Sequence, residues 1–190
     1  MLRKVLFILA SDFGPILAFF VAFYFVDFIK ATIVLIATTA IVTAANLIIE
    51  RRVMWFPIIV TILTVGFGSL TVIFDNPEYI IFENTLYNAA LGVLILGSLA
   101  MGKDPLKRIF SDLFAISDKG WLITTRRWGY FMLASAAVNE IVRIFFTPEF
   151  WVHYRFWYLW VVIAFCAWQF EVSRKERTED ANSWGIRIKH

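Results

Sequence analysis

Residues 121–146, WLITTRRWGYFMLASAAVNEIVRIFF, decide the reading of this chain. The stretch opens on a basic, tryptophan-flanked border at Arg126, Arg127 and Trp128. It then runs apolar for long enough to cross a bilayer, and late in that run it carries Asn139, Glu140 and Arg143. Ionisable groups at membrane depth are costly, so they face protein or water and find partners. Glu140 and Arg143 are spaced i, i+3, and Asn139 and Arg143 i, i+4, so one helical face can carry all three. Other segments must then pack around that face. A helix starting near Trp128 places Glu140 about 18 Å along at ~1.5 Å per residue, past the middle of a core roughly 30 Å thick.

The rest of the chain has the same character. Of its 190 residues 60% are hydrophobic, 18% aromatic and only 17% charged, a composition suited to lipid as solvent. Only helices and closed barrels satisfy their backbone in lipid, and long continuous apolar runs select helices. The expected fold is therefore all-α: a polytopic membrane helix bundle of six transmembrane helices and one cytoplasmic amphipathic surface helix. The spans fall at about 5–26, 31–49, 55–74, 85–101, 128–146 and 154–170, forming one transmembrane domain over 1–170. Residues 171–190 form a short, charged cytoplasmic tail.

Several local features qualify that outline. Asp12-Phe13-Gly14-Pro15 interrupts the first segment, which reads either as one kinked span or as a surface helix followed by a short span. That interruption, with no small-x-small site after it, argues against a cleaved signal peptide. Ala37, Ala40 and Ala44, with Thr39 and Thr43, would let the second span approach its neighbours closely. Gly66 and Gly68 read as packing positions rather than as a phosphate loop, because no strand precedes them. Between spans four and five, Leu106, Ile109, Phe110, Leu113 and Phe114 recur at helical spacing opposite Lys107, Arg108, Ser111 and Asp112. Asp104 can cap this segment and Pro105 suits its first turn, so 104–118 is expected to lie as a helix in the membrane surface.

Charge placement gives orientation. With six spans, fifteen of the eighteen Lys and Arg residues fall on one side, Lys30 and Arg155 on the other, and Arg143 within the membrane. The positive-inside rule then puts both termini in the cytoplasm. The segment FDNPEYIIFE at 74–83 also echoes FTPEFWVHYR at 146–155, with Asp27-Phe28-Ile29 a fainter third copy. Repeated helical hairpins would produce this, and so would a shared local need for an acid and an interface aromatic in each short outer loop.

Signals for chemistry are sparse. His153 and the terminal His190 have no companions at ligand spacing, so no metal site is expected. Neither a nucleophile–base arrangement nor a Walker or dinucleotide loop occurs, which leaves no expected cofactor and no enzymatic activity. The basic residues follow topology and give no case for nucleic acid. Cys166, the single cysteine, lies in an apolar run and reads as a buried small hydrophobe. The candidate site is thus the intramembrane polar cluster Asn139, Glu140 and Arg143, with Asp12 as a helix cap or a partner for cytoplasmic arginines. Glu140 and Arg143 could be a structural ion pair or part of a substrate path. Asn46, Asn88 and Gln169 are expected to hydrogen-bond between helices.

These residues together resemble the bacterial intracellular septation protein A (YciB) family of inner-membrane proteins. The matching stretches run in order along the chain: Asp12-Phe13-Gly14-Pro15 with Phe19-Phe20, Phe67-Gly68-Ser69-Leu70-Thr71 through Asn76 to Thr85, and Gly102-Lys103 with Pro105-Leu106 and Arg108. Gly120-Trp121 with Thr125, Arg127 and Trp128, then Asn139-Glu140 with Arg143, and Phe150-Trp151-Val152 complete them. The family usually carries a lysine where this chain has Glu83, an asparagine at His153 and a lysine at Arg155. The resemblance implies a place in cell-envelope biogenesis, septation and membrane homeostasis in the bacterial inner membrane. Membrane lipids and other inner-membrane proteins of envelope synthesis and division are the implied partners, and no catalytic residues are implied. Two functions remain open: a structural or interaction component of that machinery, and a small transporter or lipid-handling protein using the polar cluster.

Overall fold

A computed structural model describes the backbone of residues 2–50 and 55–188, and side chains over 14–49 and 58–188. Asp12 falls outside the described side chains. The described residues form seven helices: α1 (Leu2–Phe25), α2 (Phe28–Glu50), α3 (Trp55–Ile73), α4 (Glu78–Ala100), α5 (Pro105–Phe110), α6 (Asp118–Phe145) and α7 (Pro148–Lys175). They contain no strand, only three isolated β-bridges. Burial is what a lipid-solvated bundle requires. Large apolar side chains such as Phe25, Ile48, Ile73 and Phe145 lie outward, while Thr32, Thr71, Thr125 and Asn139 are the largest fully buried side chains. The molecule is a helical membrane protein. Three of its helices, over Phe28–Ile49, Glu78–Ala100 and Pro148–Lys175, are long and apolar enough to cross a bilayer.

The chain divides into two compact units. The first comprises residues 1–84 and 143–152. Here α1 packs on α2 and α2 on α3. Pro15 lies inside α1, so the interruption at residues 12–15 is carried within one helix. The expected small-residue contact of α2 differs from what is found. Ala37, Ala40 and Ala44 face outward, and Ala31 and Thr32 near the start of the helix are buried instead. Close approach comes from the other partner: a Cβ on Gly68 would sit 2.7 Å from Ile36, whereas Gly66 has open space. Thr43 and Thr61 hydroxyls add a hydrogen bond of 2.7 Å between α2 and α3. Phe19, Phe28 and Trp151, all buried, meet at 5.7–6.5 Å between ring centroids, Phe19 edge to face with both and Phe28 tilted on Trp151.

The second unit comprises residues 85–142 and 153–190. The α4 and α6 backbones meet closely, since a Cβ on Gly92 would lie 2.7 Å from Leu133 and one on Gly129 2.5 Å from Leu96. Phe131 and Phe165 stack at 4.0 Å, and Trp128 meets Phe165 edge on at 4.9 Å. The helix expected over 104–118 stops much sooner. Asp104 does cap it, accepting from the Lys107 N–H at 2.9 Å, and Pro105 holds the first turn, but α5 ends at Phe110. Residues 113–117 then run between two parts of the C-terminal segment. The Ala115 N–H bonds Gly185 O, the Ala115 carbonyl accepts from Thr178, the Arg187 N–H bonds Leu113 O and the Ser117 N–H bonds Glu176 O, at 2.7–2.9 Å. Ala115 and Ile116 are buried in this seam. Within the C-terminal segment, residues 176–187 are folded back and paired. Gly185 makes the return possible, with φ of 80° and a Ser173 carbonyl 2.5 Å from where a Cβ would lie.

Candidate functional site: the polar turn of α6

Asn139 and Glu140 lie on the apolar half of α6, and both turn toward Thr85 on α4. The Asn139 Nδ2 donates to the Thr85 hydroxyl at 2.8 Å, and that hydroxyl donates to the Glu140 carboxylate at 2.9 Å. One hydroxyl thus uses its acceptor and its donor in the same place, which orders Asn139 and Glu140 relative to α4. Asn139 is fully buried, so its amide must be satisfied by protein.

Arg143, one turn further on, belongs to the first unit. Its guanidinium donates to the Glu78 carboxylate in the first turn of α4 at 2.7 Å, and its Cζ lies 5.7 Å from the centre of the Phe82 ring. Five residues beyond Glu78, the Glu83 carboxylate accepts from the Thr64 hydroxyl at 3.2 Å. Spacing along α6 brought Asn139, Glu140 and Arg143 together in the sequence. Thr85 and Glu78, the partners on α4, were missed as such. A hydroxyl within an apolar segment and an acid in a helix's first turn were their only signals.

The surface stripe is divided. Leu106, Phe110 and Phe114 line a cavity, whereas Ile109 and Leu113 are exposed by 67% and 56%. Asp104 also accepts from the buried Thr125 hydroxyl at 2.6 Å, which fastens the start of α5 to α6. Gln169 does not bridge helices as expected. Its amide faces the same cavity and has no hydrogen-bond partner among the described residues. No grouping of three or more His, Cys, Asp or Glu side chains suited to a metal occurs among the described residues.

A helical membrane protein with a buried polar turn paired between helices, as at Asn139 and Thr85, is the class that this fold and this turn define. The sequence model of the intracellular septation protein A family matches residues 7–179, and the chain belongs to that family. It is similar to the inner membrane-spanning protein YciB of Agrobacterium fabrum, 35% identical over 130 residues, or 68% of this chain and 63% of that protein. The protein of the same name from Rhizobium meliloti is 34% identical over 127 residues, covering 67% and 60%. The one from Brucella melitensis is 31% identical over 188 residues, covering 90% and 94%. The matched stretch thus spans less than two thirds of the first two relatives' own length. No solved structure matches.

Proposed function

We propose that the protein is a multi-pass inner-membrane component of cell-envelope biogenesis and septation, acting by structure and contact rather than by catalysis. Its partners are membrane lipids and other inner-membrane proteins of elongation and division. It crosses the membrane six times with both termini in the cytoplasm. The observation that carries a structural role for the polar turn is the satisfaction of Asn139 and Glu140 by Thr85. Polar groups held in this way order helices against one another.

The test is complementation in a bacterial host lacking its own family member, scoring protein level and septum formation together. Glu140→Gln keeps an acceptor for Thr85, so level and septation should both stay within about twofold of the parent, the effect of a conserved hydrogen bond. A Glu140→Gln protein that accumulates normally yet does not restore septation would replace this reading with transport through the turn. In the restored cells, crosslinking should recover envelope-synthesis or division proteins. Recovery of none would remove the interaction role.

A further inference from the structure

The cavity of the second unit is separate from the Asn139 turn and asks for a ligand of its own. Its walls are apolar, from Leu106 and Phe110 of α5, Phe114, Trp121 and Trp128, with Phe170 of α7. Its volume is about 200 Å³, room for roughly six or seven waters at ~30 Å³ each. Thr124, Gln169 and Ser173 are the hydroxyl and amide side chains that line this apolar space, and the first two carry unpaired buried atoms. Gln169 is 7% exposed and Thr124 9%, and neither the Gln169 Nε2 and Oε1 nor the Thr124 Oγ1 has a hydrogen-bond partner among the described residues. Buried amides are almost always satisfied, so this one is an open request for a donor and an acceptor together.

The chemistry narrows the occupant. No charged side chain among the described residues lines the cavity, which disfavours a phosphate or an ionised carboxylate at this depth. Ester carbonyls alone only accept and would leave the Gln169 Oε1 bare, and about 200 Å³ has no room for a second chain. A free hydroxyl next to an ester, on a single acyl chain, supplies donor, acceptor and apolar body at once. The short segment that forms one wall also presents Ile109 and Leu113 outward, an apolar border along which such a chain can leave. We propose that this cavity binds a monoacylglycerol, its glycerol hydroxyl and ester at Gln169 and Thr124 and the first part of its chain against the aromatic walls.

Cys166 lines the cavity and is the only thiol of the chain, which gives a built-in reporter. The full-length protein in detergent micelles is treated with N-ethylmaleimide in the presence of 1-oleoylglycerol or, at the same mole fraction, methyl oleate. The glycerolipid should slow Cys166 modification by about fivefold, as occupancy of most sites requires, and methyl oleate should not. Gln169→Leu should abolish the difference. If that variant does not fold, Thr124→Val, which removes one hydroxyl and keeps the shape, should reduce it. Equal protection by both lipids would mean simple apolar filling, and protection by neither would mean solvent. Selectivity that survives in a folded Gln169→Leu protein, or in Thr124→Val where the first does not fold, would place the hydroxyl elsewhere. Each of these outcomes overturns the proposal.

Discussion

At the scale of single residues, Thr85 is the hinge of the buried chemistry. Its hydroxyl accepts from Asn139 and donates to Glu140, so Thr85→Val removes two hydrogen bonds without changing shape. Interhelical bonds in membranes average well under a kilocalorie each, but a half-buried carboxylate that loses one of its donors adds a larger penalty. Thr85→Val should therefore destabilise the protein by about 1–2 kcal/mol, with Thr85→Ser close to the parent. Steric-trap unfolding in bicelles reads the difference. A double change, Thr85→Val with Asn139→Leu, should cost less than the sum, since the two share one bond. Strict additivity would show that the shared hydroxyl contributes nothing.

At the scale of elements, the seam between residues 113–117 and the C-terminal segment is tied by Glu176. The Ser117 hydroxyl donates to its carboxylate at 2.6 Å, and Lys119 lies at 3.3 Å from the other oxygen. The hydroxyl first, and then the Lys119 ammonium, hold this carboxyl below the ordinary glutamate value of 4.5. The folded value being the lower one, ionised Glu176 favours the seam above pH 4.5, and that contribution is lost as pH falls through the folded value. Amide exchange at Ala115 and Thr178 should accelerate more than at α7 amides when pH is lowered to about 3.5, after correction for intrinsic rates. Ser117→Ala should move the onset to higher pH, and an unmoved onset would free Glu176 of this role. This seam also marks where sequence reading stops. The apolar spacing at 106–114 read as a helix, but α5 ends at Phe110, and the pairing of Ala115 with Gly185 and Thr178 is set by residues far along the chain. Helical period reports only local faces. Helix starts carry local chemistry too, yet α2, α4 and α7 begin three to seven residues before the spans expected at 31, 85 and 154. Asp27, Asn76 and Thr147 each accept from an N–H two or three residues on, at the beginnings of α2, α4 and α7. Capping before Pro77 and Pro148 accounts for much of the echo between the outer loops.

At the scale of the molecule, the apolar composition announced a helical membrane protein, and the outward apolar side chains agree with it. The number of crossings depends on more than apolar length. The six charges Asp118, Lys119, Arg126, Arg127, Glu140 and Arg143 on α6 lower its apparent fitness for lipid, although Asn139 and its neighbours are satisfied inside. Accessibility settles this directly because Cys166 is the only thiol. In a Cys166→Ala background, cysteines replacing Lys119 and Ala181 should react only after the cytoplasm is opened, and those replacing Asp27 and Glu149 in intact cells. Labelling of both Lys119 and Ala181 positions from outside would refute six crossings with cytoplasmic ends.

The return of the C-terminal segment has a consequence in time. Ala115 emerges from the ribosome 70 residues before Gly185, to which its amide bonds, a wait of roughly 4–14 s at ~5–20 residues per second. Throughout that interval the polypeptide around Ala115 holds an unclosed backbone edge. Only the arrival of the returning segment shuts it. A product stalled or clipped before Gly185 keeps the edge open and should be cut faster by a protease that recognises extended backbone.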